Sequence, residues 1–105
     1  MYPTELLADA VVDISGPVTV LWLRGELDLC SAARLAPDLL GAARTARTGL
    51  VVDLSGVTFC DSSGARLLVR LLACRPGGTV PRLRGATGHP ALVLHLLGLP
   101  SPDPH

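Results

Sequence analysis

The sequence predicts an α/β domain with the order β-β-α-β-α-β-α, a mostly parallel four-stranded sheet and helices packed on it. Two observations point there. Short segments rich in β-branched and aromatic residues alternate with longer segments whose apolar residues recur at helical spacing. Gly, Pro and Ser cluster at the junctions between them. The length fits one such domain: the chain has 105 residues, 49% of them hydrophobic, and a chain this size buries roughly two-thirds of its unfolded surface.

The first strand is expected over residues 9–14 and the second over 18–24. Ser15, Gly16 and Pro17 between them make a turn, so the pair reads as an antiparallel hairpin. Gly25, Glu26, Leu27 and Asp28 lead out of the sheet. A helix follows over 31–47, capped by Ser31, with Leu35, Leu39, Ala42, Ala43 and Ala46 on one stripe. Pro37 should kink that helix or delay its start. After Gly49 comes a short covered strand, 50–54. Asp53 inside it needs loop amides or a neighbouring Arg as partners. Residues 55–61 read as a loop feeding a second helix, 62–74. This helix turns Ala65, Leu68, Leu71 and Leu72 inward and Arg66 and Arg70 to the other face. Pro76, Gly77 and Gly78 break the chain. A weak strand, 79–84, holds Pro81 and so belongs at an edge or a bulge. A last helix runs over 90–97, from Pro90 to the stop signals Gly98 and Pro100. Residues 1–99 form the single domain. The Pro-rich end, 100–105, is expected to be a disordered tail.

Composition excludes several classes of function. Nine Arg balance nine acidic residues, so the chain lacks the excess cation that nucleic-acid binding needs. There is no Lys, which excludes Schiff-base chemistry. No apolar run approaches the roughly 20 residues of a membrane span, and the N-terminal segment lacks the pattern of a secretory signal. Cys30, Cys60 and Cys74 have no zinc or disulfide spacing and read as reduced thiols in a cytoplasmic protein. His89, His95 and His105 are too scattered to hold a metal. Trp22, between Leu21 and Leu23, either faces the open side of the sheet or packs under a loop.

In a sheet of this kind function gathers where strands run out into helices. Two segments sit there, 25–28 and 60–64. In the second, Asp61, Ser62, Ser63 and Gly64 open a helix, where free N–H groups and the helix dipole favour negative charge. On the plainer reading Asp61 or Ser62 is only an N-cap. A phosphate on the serine would also be tolerated by its own helix and yet repel a partner, which makes a switch that leaves the fold intact.

These two segments carry a resemblance. Arg24-Gly25-Glu26-Leu27-Asp28, then the stretch from Leu50 through Val51-Val52-Asp53-Leu54-Ser55-Gly56-Val57-Thr58-Phe59-Cys60-Asp61-Ser62-Ser63 to Gly64, then Gly77-Gly78 and Pro90 with Leu97-Gly98-Leu99 resemble the STAS family, and within it the bacterial anti-sigma factor antagonists. Order and spacing match over roughly residues 9–99. The resemblance implies a STAS-like fold, here without the family's C-terminal helix, and a protein that is not an enzyme and binds no cofactor. It implies that the partner is an anti-sigma factor, often a serine kinase, whose capture releases a sigma factor. Phosphorylation of Ser62 would switch the antagonist off, and a PP2C-type phosphatase would restore it. The partner-binding residues it implies are Gly25, Glu26, Asp28, Asp61, Ser62, Ser63, Gly64 and Arg66. Family members also serve as accessory subunits of ABC-type transporters or as parts of stress-signalling scaffolds.

One enzymatic reading has support in the sequence. Cys60 and Arg66 are separated by five residues, the spacing of a cysteine-dependent phosphatase loop. It needs a depressed thiol pKa, and Asp61 would place a carboxylate in a cradle meant for a phosphate.

Overall fold

The computed structural model describes residues 4–7 and 9–99. Its elements are β1 (Thr4–Leu7), β2 (Ala10–Asp13), β3 (Thr19–Leu27), α1 (Leu29–Thr45), β4 (Leu50–Cys60), α2 (Ser62–Ala73), a 3-10 turn (Pro76–Gly78), β5 (Arg82–Arg84) and α3 (Gly88–Leu96). The α/β class and the predicted order of elements hold. The sheet has five strands in the order β1-β2-β3-β4-β5. It pairs antiparallel at β1–β2 and β2–β3 and parallel at β3–β4 and β4–β5. The sheet is therefore mixed, where a mostly parallel one was expected. The added antiparallel pair comes from β1, four residues with too little alternation to read as a strand. The predicted tail, 100–105, lies outside the described residues.

Two parallel crossovers, β3-α1-β4 and β4-α2-β5, join neighbouring strands in one direction. Right-handed connections therefore lay α1 and α2 side by side on one face, where they touch each other. The core lies beneath them. Leu21, Leu23, Val52, Leu54 and Leu83 from the sheet meet Leu35, Leu39 and Leu40 of α1 and Leu67, Leu68 and Leu71 of α2, and Leu94 of α3 joins the same cluster. The alternation of β3, with Leu21 and Leu23 buried and Trp22 and Arg24 exposed, is the period of two of a half-covered strand.

The structure departs from three further expectations. Helix α1 starts earlier than predicted, with Asp28 and not Ser31 as its cap. The chain leaves β3 at Leu27, so Asp28 is the first residue free to take extended cap geometry. Ser31 serves instead as the reciprocal partner three residues on. The helix then runs through Pro37 as one element, with that residue exposed. Finally, residues 55–60 are strand and not loop. Their Ser, Gly and Thr belong to a bulged continuation of β4, which pairs with an equally extended β3 and shifts register beside Trp22/Arg24 and Gly25/Glu26. Gly25 takes φ +79° in that irregularity, a conformation open chiefly to glycine. At the far edge, Pro81 immediately precedes the three-residue β5, a position where a missing N–H costs no ladder bond.

Asp53 is the buried charge of the sheet. Trp22, Asp53 and Arg84 stand in register across β3, β4 and β5. Arg84 Nε donates to Asp53 Oδ2 at 2.7 Å, and Ser55 donates its N–H and its hydroxyl to Oδ1 at 2.8 and 2.6 Å. Burial alone would raise this carboxyl. The Ser55 hydroxyl, Arg84 and the Ser55 N–H outweigh it and hold the group below the usual carboxylate range. The expected arginine is present, whereas the amide comes from Ser55 of β4 itself and not from a loop. The Arg84 guanidinium lies 4.8 Å from the centre of the Trp22 ring.

Candidate functional site at two paired strand ends

Leu27 and Cys60, the last residues of β3 and β4, are register partners. Each is followed by an aspartate and then by a helix, so two helix N-termini open side by side at the carboxyl edge of the parallel strands. The Asp61 N–H donates to the Leu27 carbonyl at 3.2 Å, tying the second junction to the first.

At the first junction the Asp28 carboxylate accepts from the Ser31 N–H at 2.9 Å, and the Asp28 N–H donates to the Ser31 hydroxyl oxygen at 2.9 Å. This is a capping box with serine in the N3 place. The same hydroxyl donates to the Glu26 carbonyl at 2.7 Å, which leaves Ser31 buried and fully engaged. The Ser31 N–H holds the Asp28 carboxyl below its usual range. Asp28 and Glu26 line a polar cleft with Asp9, Cys30, Ser31 and Arg34, in which Arg34 pairs with Asp9.

At the second junction Asp61 caps α2, its carboxylate accepting from the Gly64 N–H at 3.0 Å. Ser62 is the first helical residue and is exposed, Ser63 is half-buried and Gly64 is buried. With Asp61 acting as cap, the Ser62 hydroxyl is not spent on that task. A helix N-terminus beside an accessible hydroxyl can accept added negative charge. Arg66 is exposed one turn further on, on the same side of α2.

The predicted site residues therefore fall into two groups joined by the β3–β4 register. Gly25, Glu26 and Asp28 belong to the α1 side. Asp61, Ser62, Ser63, Gly64 and Arg66 belong to the α2 side. Ser62 and Asp28 line different clefts. Ser62 faces α3: it borders one hollow with Ala65, Arg66, Val69, Leu97 and Leu99, and another with Phe59, His89, Val93 and Leu96. Sequence reasoning missed this α3 wall. Its signal was available, because the apolar residues of 88–96 are not confined to one side and so carry more apolar surface than one packed face can hide. Phe59 and His89 stack at 5.0 Å between ring centres, with planes 7° apart, and fix the start of α3 beside the end of β4.

The phosphatase spacing of Cys60 and Arg66 does not build a phosphate loop. The Cys60 thiol is buried among core residues and donates to the Asp61 carbonyl at 3.5 Å. Burial, reinforced by the Asp61 charge, pushes it up to about 11, so it is no thiolate near neutrality. No group of three or more metal-ligating side chains occurs among the described residues, and no helix among them is long and apolar enough to cross a membrane.

The chain belongs to the STAS domain family: the family model described as "Mlab, STAS domain" matches residues 10–101. Among solved structures it resembles that of the anti-sigma factor antagonist SpoIIAA in its unphosphorylated form. The TM-score is 0.67 at 21% identity, covering 86% of this chain and 81% of that one. It also resembles the crystal structure of Mglu, with a TM-score of 0.57 at 20% identity over 74% of this chain, though it spans only 20% of that larger one. At these identities the likeness is one of fold. No curated protein matches the sequence significantly.

Proposed function

We propose that the protein is a non-enzymatic cytoplasmic regulator, an anti-sigma factor antagonist switched off by phosphorylation of Ser62. The observation that carries this reading is the exposed Ser62 hydroxyl at the first residue of α2, left free because Asp61 does the capping. The fold shared with an anti-sigma factor antagonist supports it. The partner is an anti-sigma factor that is also a serine kinase, and a PP2C-type phosphatase removes the phosphate. The contact surface runs from Gly25, Glu26 and Asp28 across the paired strand ends to Asp61, Ser62, Ser63, Gly64 and Arg66. Phosphate on Ser62 adds about −1.5 to −2 charges, which the α2 N-terminus tolerates and an apolar or acidic partner surface does not.

The test is to incubate the protein with the kinase-type anti-sigma factor of its own cell and ATP, then locate the phosphate by mass spectrometry. Phosphate on Ser62, lost in Ser62→Ala, supports the reading. Phosphate on Ser63 moves the switch by one residue, and no phosphate on this peptide overturns it.

The exposed apolar side chains of α3 favour a second reading, an accessory subunit of an ABC-type transporter. Standing assemblies use more apolar contacts than transient ones. A stable stoichiometric complex with a transporter ATPase, indifferent to Ser62→Asp, would select that reading.

A further inference from the structure

We infer that the groove between α2 and α3 receives an acidic amphipathic helix from a partner protein, with Ser62 at its head. This rests on the reading of the α2 N-terminus as partner surface, and it adds the place and chemistry of the bound segment.

The groove has an apolar floor. In α3 only Pro90 and Leu94 are buried. Leu96 is 71% exposed and Leu97 52%, and across the groove Val69 of α2 is 49% exposed. A helix whose apolar residues lie on more than one side, and which is covered on one face, leaves a second apolar face for another element. Ala65 and Leu99 continue the floor between them.

Charge selects the occupant. Neither α2 nor α3 contains an acidic residue; the one carboxylate lining the groove, Asp61 at its head, is engaged by the Gly64 N–H as the α2 cap. Arg66 and Arg70 follow Ser62 at successive turns of α2, both are exposed, and neither makes an ion pair among the described residues. The chain as a whole is neutral, and Asp9, Glu26 and Asp28 line the other cleft, beside α1. A cationic rim over an apolar floor fits a helix with a leucine-type stripe flanked by carboxylates. A second copy of this chain fits badly, because a two-fold contact would set the same arginines against each other. An anionic membrane is disfavoured too. Membrane attraction calls for clusters of roughly four to eight basic residues, and the surface here is a groove. A phosphate on Ser62 would stand at the head of this groove and cancel much of its positive charge.

The test uses the full chain, labelled with nitrogen-15, and two synthetic peptides of about 18 residues, five helical turns. Both carry Leu at helical spacing. One has Glu on the flanks, the other Lys. The Glu peptide should move the amide signals of Arg66, Val69, Leu96 and Leu97 and bind at least about tenfold tighter than the Lys peptide. The exposed double variant Arg66→Glu/Arg70→Glu should reverse that preference, and Leu96→Glu should weaken both peptides. Equal binding of the two peptides, or signals that move elsewhere, would overturn the inference. So would a response to anionic phosphatidylglycerol vesicles in place of the peptide, or self-association through this face. No kinase or anti-sigma factor enters the experiment, so its failure is separable from failure of the Ser62 switch.

Discussion

Gly64 lies against the backbone of Leu27: a Cβ at position 64 would stand 2.2 Å from the Leu27 carbonyl oxygen and 2.8 Å from the Leu27 Cγ. The first turn of α2 thus seats directly on the end of β3. A side chain there would push the two helix openings apart. Gly64→Ala is expected to lower stability by about 1–3 kcal/mol, the usual cost of overpacking. Urea denaturation measures it, and an unchanged midpoint would show that the junction has room to give.

Asp53 holds Arg84 over Trp22, and removing the carboxylate should release both. Asp53→Ala is expected to cost about 1–3 kcal/mol, less than a fully buried pair because the Arg84 side chain is 26% exposed. Trp22 is the only tryptophan, so its emission reports the loss of the stacked guanidinium. The pH dependence has a fixed sign. The folded pKa lies below the ordinary 3.8, so the stabilisation is complete above that value and is lost as pH falls through the folded one. Acid titration of wild type against Asp53→Asn should show their stabilities converging below about pH 4. A constant gap would assign the loss to packing alone.

Cys60 should behave as a core residue and not as a nucleophile. With its thiol at about 11, it should resist iodoacetamide at pH 8 in the folded protein, while the exposed Cys30 reacts. Mass spectrometry of the labelled peptides distinguishes them. Rapid labelling of Cys60 in the native state would contradict its burial.

The class of fold and the two strand–helix junctions that carry the candidate site were legible because binary pattern and turn residues agree through most of the chain. Alternation gave β3 and apolar spacing gave the inner faces of α1 and α2. The boundaries that were misread share one cause, local chemistry judged without its neighbours. Ser31 is a good cap by type, but Asp28 stands where β3 ends and takes the role, leaving Ser31 to close the box from inside. Ser55, Gly56 and Thr58 look like loop residues, yet β3 lies alongside and the backbone ladder continues through a bulge. The α3 wall beside Ser62 was legible as surplus apolar surface but not as a place. Nothing in the order of residues says that the end of the last helix returns to the start of the second one.

The most direct test of the central claim is titration calorimetry of the anti-sigma partner with wild type and with Ser62→Asp. Both proteins should unfold at similar temperature, since the new charge sits at a helix start, and the variant should bind at least about tenfold more weakly. Equal affinity for the two would contradict the claim.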